Sequence, residues 1–136
     1  YTMRTFLLIY TFSLFGILFS IQNKSIEQSI EDGYMIYDDF CIQCHGPNGI
    51  GFIKTIPPLA NSDFLLNINK SISIIKYGAK GPIIVNGKEY EGNSMISQGL
   101  DSEEISDVLN YIKNNWGNSN EIQITAEDVN NIINPI

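Results

Sequence analysis

Cys41-Ile42-Gln43-Cys44-His45 constrains this chain more than any other stretch. Two cysteines separated by two residues and followed at once by histidine form the C-x-x-C-H signature of c-type haem attachment. Each residue has a chemical job. The thiols add across the two vinyl groups of haem as thioethers, and the two-residue gap sets them on one helical turn at the separation of the vinyls. His45 then sits under the iron as proximal ligand. A bare C-x-x-C has two rival readings, a redox dithiol and half a zinc site. A four-ligand zinc site needs more Cys or His, and the chain has only two Cys and one His. A thioredoxin-like dithiol needs no adjacent His and belongs in a βαβ pattern, which the sequence lacks.

The 136 residues make one domain once a targeting segment is set aside. That size suits a compact core built around a buried cofactor. The formal net charge is −7, and haem propionates add to it. Such a chain lacks the basic face of a nucleic-acid binder. Its acidity reads either as docking onto a basic patch of a partner protein or as simple solubility.

The first residues differ from the rest. Arg4 precedes an apolar run from Phe6 to Phe19, and after Ile21 the chain turns polar. A basic start with an apolar core is an export signal. The run is shorter than the roughly 20 residues that span a bilayer comfortably, which favours a cleaved signal. Phe19-Ser20-Ile21 matches a small-x-small cleavage site poorly, so an N-terminal membrane anchor stays open. Tyr1 and Thr2 ahead of Met3 suggest that translation starts at Met3. The expected division is 1–21 as signal or anchor and 22–136 as the folded domain. Either way the chain is directed out of the cytoplasm, where c-type haem is attached.

Ser25 to Phe40 reads as a helix. Ser25 and Gln28 form a capping box, and Ile26, Ile30, Gly33, Tyr34 and Tyr37 make one face. Gly33 within a helix costs about 1 kcal/mol against Ala, which predicts a close crossing by another helix. Gly46, Gly49 and Gly51 break the helix after His45 and let the backbone turn around a bulky group. Pro57-Pro58 fixes an extended loop, whose carbonyls are free to accept the second ring N–H of a metal-bound His. Ser62 to Leu66 is a short capped turn and Ser71 to Tyr77 a second helix stopped by Gly78. Asn86-Gly87 between Ile83-Ile84-Val85 and Lys88-Glu89-Tyr90 predicts a β-hairpin. Met95 lies in a Gly-flanked loop with no helical stripe to join. It is either a gap-filler or, given haem, an axial thioether, while Met35 lies on the proximal side. Asp101 to Glu104 form a capping box that opens a helix running to about Trp116 and ended by Gly117. Ile105, Val108, Leu109, Ile112 and Trp116 make its apolar face, and Tyr111 is the candidate to meet Gly33. Thr125 to Val129 begins a last helical piece, and 134–136 form a tail.

These residues resemble the class I c-type cytochromes over about Ser25 to Val129. The likeness rests on Cys41, Cys44 and His45, on Gly33-Tyr34 with Tyr111, on Pro57 and Leu59, and on Met95. Within the family the chain is similar to small bacterial cytochromes, or cytochrome domains, serving quinoprotein dehydrogenases or copper nitrite reductases. The resemblance implies an all-α cytochrome c fold wrapped on one covalent haem, with first and last helices crossing nearly at right angles and a small hairpin before the Met loop. It implies His45 and Met95 as iron ligands, the Pro57 carbonyl as partner of His45, and Leu59 packed on the porphyrin. It implies a periplasmic carrier whose partners are a dehydrogenase, a nitrite reductase or a terminal oxidase. Relatives usually carry Pro after the ligand Met, where this chain has Ile96, so its loop is less stiffened. No Arg follows Arg4, so a charged propionate partner must be Lys; Tyr90, Trp116 or backbone groups are hydrogen-bond alternatives.

Three functions compete. An electron carrier cycles iron between Fe(II) and Fe(III), and Met ligation raises the potential. A haem enzyme or gas sensor needs an open or labile distal site and an acid–base group, and neither a second His nor an Arg is available for it. A non-catalytic interaction subunit uses haem only as a folding staple.

Overall fold

The computed structural model describes residues 2–20, 24–91, 94–119 and 122–133. Helix α1 (Thr2–Ser20) covers the apolar N-terminal run, and among the described residues no helix is long and apolar enough to cross a membrane. The remaining elements are α2 (Ile26–Phe40), α3 (Ile42–His45), a 3-10 turn (Asp63–Leu66), α4 (Ile68–Tyr77), strands β1 (Ile83–Val85) and β2 (Lys88–Tyr90), α5 (Ser102–Lys113) and α6 (Ala126–Asn131). The chain is mainly helical with one antiparallel hairpin, as expected. Ile83 pairs with Tyr90 and Val85 with Lys88. Asn86 (φ 52°) and Gly87 (φ 70°) both take the left-handed conformation that a two-residue primed turn requires.

Several boundaries differ from the sequence reading. Ser25 caps α2 by accepting from the Gln28 N–H, but the Gln28 side chain turns forward to Asp32, so the box is only half formed. Ser62 gives no side-chain cap to the 3-10 turn. Helix α4 begins at Ile68 and not near Ser71, because the Asn67 side chain accepts from the Lys70 N–H and caps it a turn earlier. Helix α5 ends at Lys113 and not at Trp116. Trp116 (φ 52°) and Gly117 (φ 80°) are both left-handed, so the chain has already turned away. The Asp101–Glu104 capping box is complete, and Thr125 with Asp128 forms a second one on α6. The tail at 134–136 lies outside the described residues, as do 92 and 93 of the Met loop.

The core has two parts. Ile72, Ile105, Leu109, Ile124 and Val129 fill the space between α4, α5 and α6. Tyr37, Leu65, Val108 and Ile112 fill that between α2 and α5. Gly33 sits where α2 meets α5. A Cβ there would run into the Asp107 carbonyl oxygen and lie 2.9 Å from Tyr111 Cβ. Only a residue without a side chain permits this approach. The aromatic rings of Tyr34, Tyr37, Tyr111 and Trp116 pack edge to face or tilted around it, with centroids 5.0–5.6 Å apart.

A polar network ties the start of α2 and the segment before α6 to α5 across this junction. Asp107 is buried on α5. It accepts from Lys24 Nζ at 2.6 Å and from Ser29 Oγ at 2.6 Å. Asn110 donates to Ser29 Oγ at 2.9 Å and to the Ile124 carbonyl at 2.8 Å, and its own Oδ1 accepts from the Ile124 N–H. Burial tends to lower the Lys24 pKa, but the hydrogen bonds to Asp107 and Asp32 outweigh it and raise the pKa above the usual lysine value. Replacing Asp107 by Ala takes away the acceptor of the Ser29 hydroxyl and one of the two carboxylates that hold Lys24, whose side chain is a quarter exposed and keeps Asp32. The expected loss is about 2–3 kcal/mol in a denaturant melt of the haem-loaded protein. A loss within experimental error refutes the role given to this network.

Candidate haem site

The site is built on one helical turn. Cys41 caps the end of α2 and opens α3, and the His45 N–H bonds back to the Cys41 carbonyl at 2.9 Å. Cys41 and Cys44 therefore stand three residues apart on one helix face. Burial pushes the Cys41 thiol up to about 11, with the Cys44 charge adding a smaller push. A redox dithiol needs a depressed thiol pKa, so this one is ill suited to disulfide exchange. Among the described residues no group of three His, Cys, Asp or Glu side chains is placed to hold a metal ion, which leaves the zinc reading without a site.

His45 is buried, and its Nδ1 lies 3.2 Å from the Pro57 carbonyl oxygen. A carbonyl only accepts, so Nδ1 carries the proton in this pairing and Nε2 is left with a free lone pair. Burial holds the His45 pKa below its usual value, with the Pro57 bond pulling the other way. At neutral pH the ring is therefore uncharged, the form that ligates iron.

Three loops hold that geometry. The Gly51 N–H bonds to the His45 carbonyl at 2.9 Å, and a Cβ at Gly51 would strike the Ile56 and Pro57 carbonyl oxygens. The Leu59 and Ala60 N–H groups both donate to the Gly49 carbonyl, at 2.7 and 2.9 Å. A Cβ at Gly49 would lie 2.7 Å from Trp116 Cε3, so the indole lies directly on that glycine. Asn118 donates to the Leu59 carbonyl at 2.8 Å. Tyr37 donates to the Gly46 carbonyl at 2.6 Å, beside His45. The sequence reading placed Tyr37 only on a helix face and gave Asn118 no role. The aromatic-and-Asn segment after α5 held the signal, but which backbone groups it reaches is set by tertiary contact.

Cys41, Cys44, His45, Pro57, Leu59 and Met95 all line one cavity of about 240 Å³. Met35 does not line it and is about half exposed on α2. The Met95 carbonyl accepts the Ala79 N–H at 2.8 Å, and Ser97 Oγ donates to the Lys76 carbonyl at 2.9 Å. The Met loop is thus stapled to the end of α4 by these two bonds. The walls are otherwise almost wholly apolar. Protein interiors leave few voids larger than a water molecule, and a dry apolar space of this size calls for a bulky apolar guest. The residues present fit a haem: Cys41 and Cys44 would hold it through its two vinyl groups, and His45 would ligate its iron through Nε2.

The cytochrome c family profile matches residues 30–116. The chain belongs to the cytochrome c family. Cytochrome c-552 of Thermus thermophilus is 35% identical over 107 residues, which is 72% of this chain and 81% of that protein. The cytochrome c subunit of the quinone alcohol dehydrogenase of Gluconacetobacter polyoxogenes is 30% identical over 91 residues, 65% of this chain. The match takes in 19% of that longer subunit, and the Komagataeibacter europaeus subunit matches equally. This cytochrome therefore carries covalent haem c and is an electron carrier, not an enzyme. The haem supplies a single-electron Fe(III)/Fe(II) couple, and the protein supplies its anchorage and a dry enclosure.

Proposed function

We propose that this cytochrome shuttles electrons through one haem with His45 and Met95 as axial ligands, anchored as thioethers by Cys41 and Cys44. The Pro57 carbonyl orients His45 and raises its basicity, and Leu59 packs on the macrocycle. The observation that carries this reading is that His45 and Met95 line the same apolar cavity as the two thiols, in a chain with no other His. Residues 1–21 act as an export signal, so the carrier works in the periplasm, and the membrane is involved only if that segment is retained. Its partners are redox proteins such as a quinone-linked dehydrogenase, the setting in which a relative is named; a nitrite reductase or terminal oxidase is the further choice on the acceptor side.

Covalent attachment is tested by in-gel haem staining after boiling in detergent. The wild type should stain, and the Cys41→Ala/Cys44→Ala double variant should lose the stain completely. Staining that persists in the double variant refutes the attachment.

A further inference from the structure

Residues 50–56 form a hydrogen-bonded, largely apolar knuckle beside the cavity. Phe52 and Ile56 form an isolated antiparallel bridge, each donating to the other's carbonyl at 3.0 Å, and the Thr55 N–H joins the Phe52 carbonyl at 3.2 Å. Lys54 at the tip is left-handed, at φ 70°, which costs a side-chain-bearing residue on the order of 1 kcal/mol. Ile53 beside it is 92% exposed, the most exposed of the described large hydrophobic residues, and Ile50 and Phe52 are 67% and 56% exposed. None of the three lines the haem cavity. Three exposed apolar residues within four positions on a pinned turn mark an interaction site, and a turn already held in shape loses little freedom on binding.

The knuckle is continuous with the site. Thr55, Ile56 and Pro57 line the cavity, and Pro57 is the residue that meets His45. Its charge is also unlike that of the whole. Lys54 is the only charged side chain in residues 46–62, and residues 46–100 hold five lysines against three acidic residues, whereas the chain as a whole is −7. The acidic surplus therefore belongs to the segments carrying α2, α5 and α6.

We propose that this knuckle docks the redox partner, with Ile53 entering an apolar pocket whose rim is acidic and faces Lys54. The inference rests on the electron-carrier reading above. The negative charge of the whole molecule then orients its back away from an acidic partner, and the knuckle leads the approach.

The test uses haem-loaded wild type, Ile53→Ser and Lys54→Glu, each reduced and mixed with membranes plus soluble extract of the source organism. Ferricyanide, which needs no docking pocket, serves as the second oxidant. Ile53→Ser should react with ferricyanide at the wild-type rate, and Lys54→Glu should match it at high salt, where the repulsion between the new carboxylate and this anion is screened. With the extract, Ile53→Ser should be slower by roughly tenfold, as for a buried interface anchor. Lys54→Glu should also be slower, and by more at low salt than at high salt, where the charge contact is screened. Equal extract rates for all three proteins overturn the proposal, as does a faster Lys54→Glu, which points to a basic rim. Conversion of a dimer to a monomer by Ile53→Ser also overturns it, since the knuckle then joins two copies of the chain. A wild type that is oxidised by ferricyanide but not by the extract removes the electron-carrier reading itself.

Discussion

Gly33→Val should unfold this cytochrome or cost it more than about 3 kcal/mol, at the upper end of overpacking penalties. The sign is informative because helix propensity points the other way. Val is a slightly better helix former than Gly, so an uncrossed helix would gain stability. Here the new side chain collides with main chain, the Asp107 carbonyl, and with Tyr111 Cβ. Backbone cannot rotate aside as a side chain can. The helices must separate, and separation also pulls Ser29 and Lys24 away from Asp107. Gly33→Ala should fall between, since its single methyl meets the same carbonyl. Thermal melts of the three haem-loaded proteins check the order, and a Val variant as stable as wild type places the helix crossing elsewhere.

Met95→Ala should convert a closed haem site into an open one. Wild-type ferric protein should show the weak near-infrared sulfur-to-iron band of His/Met ligation and should not bind carbon monoxide when reduced. The variant should lose the band, bind carbon monoxide and cyanide, and have a lower reduction potential, because a soft thioether favours Fe(II) over Fe(III). The global fold should survive, since the loop is stapled by the Ala79–Met95 backbone bond, which Ala preserves. Ile96 is largely exposed and lacks the stiffness of the Pro usual at this place in the resembled family, so the Met bond should be lost at milder alkaline pH than in relatives that have Pro. A wild type without the band that binds carbon monoxide readily removes Met95 from the iron and reopens the sensor or enzyme reading.

The parts of this molecule that were legible in the sequence are those governed by local rules. C-x-x-C-H marks the haem turn, Asn86-Gly87 the hairpin, and Asp101 with Glu104 the start of α5, because each acts within a few residues. Gly33 was legible as an anomaly: a glycine inside a helical face needs a neighbour that demands it. The neighbour itself, the Asp107 carbonyl, is main chain and leaves no mark in side-chain patterning. The same limit hid the Asp107–Lys24–Ser29–Asn110 network. Asp107 and Asn110 flank the apolar positions of α5, and it is Lys24, Ser29 and Ile124, all distant in sequence, that bond them. The early start of α4 was missed because the apolar pattern begins later than the cap at Asn67. Trp116 looked like the next turn of α5, and only its left-handed backbone shows that it turns back to lie on Gly49.

The cavity between the two halves of the core also bears on how the protein accumulates in a cell. Without haem the apolar side chains around this space of about 240 Å³ lose the contacts a guest supplies, and a loss on the order of a few kcal/mol is a large part of a small domain's stability. A chain that has not yet received its haem is therefore destabilised, and proteases compete with the attachment machinery for it. The amount of mature protein should then track haem supply more closely than transcription, falling under iron limitation while its message persists.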